Sequence, residues 1–189
     1  MSGLSTLNLV DLQHSTTTAG RFRLGDVACL FDTTYGPLKA VYTLTYGAVG
    51  VAASPMYENT GDATNWYVDD DENGSYVVGQ ELCVGAWLGG VTTVAATYGW
   101  VLAAGQNPID MVSDGSIAVG YSIYGSTTDG TWSGVVGTID VSTAATTIFY
   151  GRGFLVATAR QADNSSGTGL LLAGNAIFHS VWADLAQTV

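Results

Sequence analysis

The stretch that decides the fold is residues 82–109, LCVGAWLGGVTTVAATYGWVLAAGQNPI, which carries no charged side chain. A charge-free run of this length is compatible with a membrane-spanning helix. However, several glycines interrupt it, and Glu81 and Asp110 flank it without a nearby lysine or arginine. Valine, threonine and aromatic residues between glycines favour buried β-strands instead. The stretch therefore predicts strands of a β-domain and no membrane span.

Short β-rich runs separated by Gly, Asn, Asp and Ser recur along the rest of the chain. Tyr42, Leu44 and Tyr46 share one face of residues 40–46 (AVYTLTY), and the residues between them share the other. That alternation predicts a strand in a sheet with one buried face. The predicted strands are residues 27–31, 40–46, 49–53, 65–68, 76–84, 98–103, 117–123, 148–158 and 170–182.

The turns and the scarcity of helix formers point to an all-β fold. Asn73-Gly74, Asp114-Gly115 and Asp129-Gly130 predict hairpins, because a type I′ turn needs positive φ at both central residues. A short helix is expected only near residues 4–12 or 183–189. We predict an antiparallel β-barrel or β-sandwich in residues 21–189. Residues 1–20, polar and rich in Ser and Thr, form an extended N-terminal arm whose order depends on a partner.

Charge excludes several classes of function. The 189 residues include 5 Lys and Arg against 16 Asp and Glu, giving a net charge of −11, and only 11% are charged where about 25% is typical. Disorder is excluded because 47% of the residues are hydrophobic. Nucleic acids and anionic membranes are excluded as partners because both bind clustered cations. Much of the surface must be neutral or covered.

Without a signal peptide pattern at the N-terminus, we expect the product to stay where it is made.

No catalytic constellation is visible in the sequence. His14 and His179 are the two histidines, and His179 is interpreted as a strand residue rather than a catalytic base. Because no nucleophile elbow, phosphate loop or dinucleotide fingerprint occurs, no enzyme activity, cofactor or catalytic residue is predicted. Cys29 and Cys83 lie in apolar runs, so we expect buried free thiols, with a disulfide between them left open and no zinc site.

The acidic run Asp69-Asp70-Asp71-Glu72-Asn73-Gly74 matches the opening of a calcium-binding loop. The bidentate Glu of a full loop is missing, because Gln80 stands at the twelfth position and Glu81 comes one residue late. The favoured interpretation is a hairpin tip turning at Asn73-Gly74. Calcium binding by Asp69, Asp71 and Asn73 is the alternative.

Aromatic residues cluster at Asn65-Trp66-Tyr67 and Tyr98-Gly99-Trp100, in a chain with 5 Trp and 10 Tyr. Such residues most often fill barrels or subunit interfaces. Exposed beside acidic groups, they would instead form a platform for carbohydrate.

Three segments together resemble a known family. They are RLGDV at residues 23–27 followed by Thr34-Tyr35-Gly36-Pro37, VAATYGWV at residues 94–101 with Gly105, and Gly167-Thr168-Gly169-Leu170 before the closing apolar run. This pattern is similar to capsid decoration (cement) proteins of tailed bacteriophages. The chain departs from it at the acidic residues 69–72 and in residues 127–154.

The resemblance implies a virion structural protein that binds the outer surface of the major capsid protein shell and stabilises it against internal DNA pressure. The expected partners are the major capsid protein and further copies of this chain, with a trimer favoured. The expected location is the outer capsid surface of a virion assembled in the host bacterial cytoplasm. Two alternatives stay open. A carbohydrate- or receptor-binding β-protein of a phage head or fibre would expose Trp clusters, and a small hydrolase would hold His179 close to a carboxylate in a pocket.

Overall fold

The computed structural model describes residues 7–14, 16–58, 66–70, 82–115, 117–125, 130–135, 155–159 and 169–180. These residues form an all-β protein with one short helix, and the fold class predicted from the sequence is confirmed. In chain order the elements are α1 (Leu9–His14), β1 (Val27–Asp32), β2 (Gly36–Thr45), β3 (Pro55–Glu58), β4 (Tyr67–Asp69), β5 (Leu82–Trp87), β6 (Tyr98–Gln106), β7 (Met111–Ser113), β8 (Ser122–Gly125), β9 (Trp132–Val135), β10 (Leu155–Ala159), β11 (Gly169–Leu171) and β12 (Ala176–Ser180).

Five strands close into a small barrel. They pair in the order β2-β4-β3-β5-β6, and β6 pairs back onto β2 through residues such as Tyr42 and Trp100. Each barrel strand contributes to a common interior, where Val41, Met56, Val68, Val84, Trp87, Val101 and Ala103 are essentially inaccessible to solvent. Closure removes the free sheet edges that these hydrophobic strands would otherwise expose.

A second and larger core covers the outside of the barrel. Alternate residues of β2 and β6 point away from the barrel interior, and Ala40, Tyr42, Trp100 and Leu102 pack there. The one-face interpretation of residues 40–46 is therefore wrong: Tyr42 and Val41 lie on opposite faces and both are 0% exposed. The alternation is real, but the second core covers the face that an isolated sheet would present to water.

The remaining strands extend the sheet beyond the barrel. β1 flanks β2, and β12, β10, β8, β9, β7 and β11 continue outward from β6 in that order. Most pairings are antiparallel as predicted, but β2 with β4 and β7 with β9 run parallel. Parallel neighbours need a crossover connection, which separates them along the chain. Turn residues in the sequence indicate local hairpins, so they could not reveal these parallel pairings.

The predicted strands agree with the structure where the pattern is strong. Strands were expected and are found at β1, β2, β5 and β6, and residues 82–109 supply the last two as buried strands. The predicted strand 49–53 is wrong. The Val49 N–H donates to Thr92 Oγ1 and Val49 O accepts the Thr92 N–H, while the Gly50 N–H donates to Asp70 Oδ2 at 3.0 Å, so this segment is held as a loop. Strands β3, β7 and β9 were not predicted.

Of the three predicted hairpins, one is found, one is wrong and one lies outside the described residues. Gly130, with φ 71°, lies in the loop between the antiparallel neighbours β8 and β9, so a hairpin does occur there. Gly115 also has positive φ, but β7 pairs with β9 and β11 rather than with β8, and the hairpin prediction at Asp114-Gly115 is wrong. Asn73-Gly74 lies outside the described residues, as do the predicted helix at 183–189 and the strand portions 76–81 and 148–154.

The described part of the N-terminal segment lies against the β-domain. Asn8 and Asp11 cap α1 reciprocally, each side chain accepting the backbone N–H of the other at 3.0 and 2.9 Å. Leu12 of this helix is 0% exposed and belongs to the larger core. Thr17 forms a bridge with Tyr98 through two backbone hydrogen bonds of 3.1 and 2.7 Å. The boundary after residue 20 stays a prediction.

Candidate interaction surfaces

The aromatic residues are mostly packing elements. Trp87, Trp100 and Trp132 are fully buried, and Trp66 is half-buried. Tyr98 stacks on Tyr42 with ring centroids 6.0 Å apart. The packing interpretation is therefore confirmed for Tyr98 and Trp100, whose rings are turned toward the larger core rather than presented as a platform.

The two histidines lie apart from any acid–base arrangement that the described residues show. His14, exposed at the end of α1, borders a groove of about 470 Å³ whose other lining residues are uncharged: Gln13, Thr16, Ala52, Leu88, Gly89, Gly90 and Ile109. His179 is exposed on β12, opposite Ala104 of β6. Among the described residues that line the groove at His14, none carries a carboxylate.

The cysteines are free, but only one thiol is buried. Cys29 is exposed on the edge strand β1, so the prediction of a buried thiol is wrong for this residue. The Cys83 residue is partly exposed, yet its thiol faces inward, with Sγ 3.9 Å from Gly85 O. Burial raises the pKa of this thiol from 9.0 to about 12. Cys83 is thus held as a neutral, unreactive thiol.

The acidic run begins inside the protein. Asp69 and Asp70 are 9% and 8% exposed, and Asp70 accepts a hydrogen bond from the Gly50 backbone. Asp71 and Asn73, the other calcium candidates, lie outside the described residues. Among those that are described, no group of three or more His, Cys, Asp or Glu is arranged to hold a metal ion.

One face of the sheet beyond the barrel is open. The strands β1, β2, β6 and β12 lie side by side, and register aligns Cys29 with Lys39, Lys39 with Ala104, and Ala104 with His179. Side chains on the opposite face of these strands enter the larger core. We call the solvent-facing side the open sheet face; its described residues are Cys29, Phe31, Pro37, Lys39, Ala104, Gln106, Ile177 and His179.

The open sheet face differs chemically from the chain as a whole. Phe31 is 76% exposed and Ile177 is 45% exposed, although both are large hydrophobic residues on regular strands. None of the eight residues is acidic, and one is a lysine, in a chain with net charge −11. A depression of about 430 Å³ between the β1–β2 turn and Ile177 borders this face. The two exposed apolar side chains make this face a candidate interaction surface.

Sequence reasoning named no contact residues, and it missed this face. The signal was partly present, because residues 176–180 (AIFHS) alternate between buried and exposed positions. Alternation alone does not show which face meets solvent, since residues 40–43 of β2 alternate equally well and are buried on both faces. Strand pairing decides that question.

Comparison with known proteins adds no relative. No protein-family model, curated protein or solved structure matches this chain. Within the part of the chain that the structure describes, no helix is long and apolar enough to cross a membrane.

Proposed function

We propose that this chain is a capsid decoration protein of a tailed bacteriophage, which docks on the outer surface of the major capsid protein shell and reinforces it. The observation that carries the proposal is the open sheet face, an apolar and acid-free surface on a strongly acidic protein. The resemblance of the three glycine-containing segments supplies the family.

The proposed reinforcement depends on many copies of this chain binding the shell. A shell filled with DNA is under outward pressure, and a rigid β-protein that contacts neighbouring capsomers opposes their separation. Each contact can be weak, because binding at several points raises the effective concentration of the remaining ones.

The electrostatics support an outside location. With 16 acidic and 5 basic residues, the protein would be repelled by the packaged genome. A neutral docking face avoids placing those acidic groups against the shell. Phe31 and Ile177 would then supply the buried apolar contacts, with Lys39 and His179 as polar groups between them.

Binding to capsids tests the proposal directly. Purified protein is mixed with expanded capsids assembled from the major capsid protein of the phage genome that encodes this chain, and co-sedimentation is measured. The double variant Phe31→Asp/Ile177→Asp should bind at least about tenfold more weakly, because it buries two carboxylates in an apolar contact.

The control is Val119→Asp, which adds one carboxylate, against two in the double variant, at a 66% exposed valine in the turn before β8. It should bind like the parent protein. The proposal fails if the parent protein does not co-sediment, if the double variant binds as the control does, or if the genome carries no major capsid gene.

A further inference from the structure

One end of the barrel presents an apolar surface to solvent. It is built from residues 45–50, which follow β2, and residues 88–97, which join β5 to β6. Tyr46, Val91 and Val94 are 68%, 59% and 49% exposed. We call this surface the apolar end; its other exposed residues include Ala48, Ala95 and Ala96. No charged residue occurs anywhere in residues 40–57 or 82–109, from which it is formed.

Buried threonines hold these two loops together. The Thr92 N–H donates to Val49 O at 2.9 Å, and the Val49 N–H donates to Thr92 Oγ1 at 2.8 Å. In the same way the Thr45 N–H donates to Thr97 O at 2.9 Å, and the Thr97 N–H donates to Thr45 Oγ1 at 3.1 Å. All three threonines are at most 8% exposed.

The loop conformation is therefore fixed before any partner binds. The Trp87 indole N–H adds a hydrogen bond of 3.0 Å to Gly90 O. Ala96 keeps φ at 54°, a conformation that residues other than glycine seldom adopt and that persists when its surroundings impose it. A preformed surface loses little conformational entropy on association.

The two described acidic residues at this end of the barrel, Asp69 and Asp70, are kept from its surface. Asp70 lies beneath residues 46–50, where its Oδ2 accepts the Gly50 N–H, and a Cβ added to Gly47 would lie 3.0 Å from Asp69 Oδ1. Both residues are at least nine-tenths buried. Within the described part of the chain, the apolar end is thus uncharged although two acidic residues lie directly behind it.

We propose that the apolar end lies on the rotation axis of a homo-oligomer and packs against the same end of neighbouring copies. Near a symmetry axis each side chain meets its own copy, so a charged residue would face a like charge. In a chain with net charge −11, self-association requires an uncharged patch, and Val, Ala and Tyr side chains can pack against themselves. The inference rests on the proposed function in one respect, because decoration of a shell brings copies of this chain together.

A charge-swap experiment tests this without capsids. The parent protein should sediment as a multiple of 19.6 kDa. Val94→Asp and Val94→Lys should each weaken assembly more than about 100-fold, because like charges meet at the axis. An equimolar mixture of the two variants should recover assembly, since opposite charges then face each other. Near-ultraviolet circular dichroism of the buried Trp87 and Trp100 checks that both variants remain folded.

Val119→Asp is again the control and should leave the sedimenting mass unchanged. The inference is overturned by a monomeric parent protein, by a Val94→Asp variant that assembles as the control does, or by a mixture that shows no recovery. It is also overturned if Val94→Asp assembles normally but no longer binds capsids, because the apolar end would then contact the shell. Failure of capsid binding by an assembled protein contradicts the proposed function instead.

Discussion

Single glycines decide how the barrel closes. Gly85 stands at an irregularity in the pairing of β3 with β5, where register shifts between Met56 and Tyr57, and its φ is 154°. The shift places Val84 and Trp87, three residues apart, in the same barrel interior. A Cβ at Gly85 would collide with the Leu102 carbonyl oxygen of β6. The close approach of β5 to β6 therefore requires glycine.

Gly85→Ala should lower the free energy of unfolding by about 2–4 kcal/mol, combining an unfavourable φ with a backbone collision. Gly36→Ala is the matched control, because φ is also positive there (76°) but nothing lies within 4 Å of the added Cβ. We expect it to cost about 1–2 kcal/mol from φ alone. Urea unfolding measures both, and equal losses would contradict the steric argument.

The two thiols should differ sharply in reactivity. At pH 8 a maleimide should label one cysteine per native chain, at the exposed Cys29, because Cys83 is buried and its pKa is raised to about 12. Cys29→Ser should abolish native labelling, and unfolding in urea should then restore one labelled site. Mass spectrometry counts the labels. Labelling of Cys83 in the native Cys29→Ser variant would show that its thiol is accessible.

The family resemblance rests on residues whose local roles the structure explains. Gly25, with φ 85°, faces the Trp66 ring, where a side chain would collide, and Gly99 lies against the Trp87 ring. Asp32 Oδ1 accepts the Thr34 and Tyr35 N–H groups in the turn before Gly36. These glycines serve turns and close packing in this fold, so the capsid experiment rather than the motifs must decide function.

At the scale of elements, α1 is a structural part of the domain. It has only six residues, too few for an isolated helix to be stable, and its capping pair and Leu12 compensate by tying it to the core. Truncating residues 1–20 would therefore remove core packing as well as any contact that the arm makes with a shell. Point substitutions in α1 test the loss of core packing separately from the loss of a contact with a shell.

Leu12→Ala should destabilise the protein by about 2–5 kcal/mol, because it opens a cavity at a fully buried position. Val10→Ala on the same helix, where the side chain is 59% exposed, should change stability by less than about 0.5 kcal/mol. Thermal or urea unfolding followed by Trp fluorescence compares the two. Similar small losses in both would mean that α1 does not contribute to the core in solution.

At the scale of the whole molecule, two cores share one pair of strands. Residues 40–43 of β2 and 99–103 of β6 alternate between the barrel interior and the larger core, so both faces of these parts of the two strands are buried. This explains how a chain with 11% charged residues folds without exposing most of its apolar sequence. The apolar residues that remain exposed include those of two surfaces, the open sheet face and the apolar end, which we propose contact the shell and sister copies.

The sequence by itself determined the all-β class and the strands with strong alternation, because residue propensity and alternation act locally. Residues 82–109 were correctly predicted to supply buried strands, β5 and β6, which residues 88–97 join as a loop. Only the tertiary structure decided barrel closure, the parallel pairings, the loop at Val49 and the exposure of Cys29. These features depend on which strands become neighbours. A two-residue alternation shows that a strand has two faces, but it does not show what covers each face.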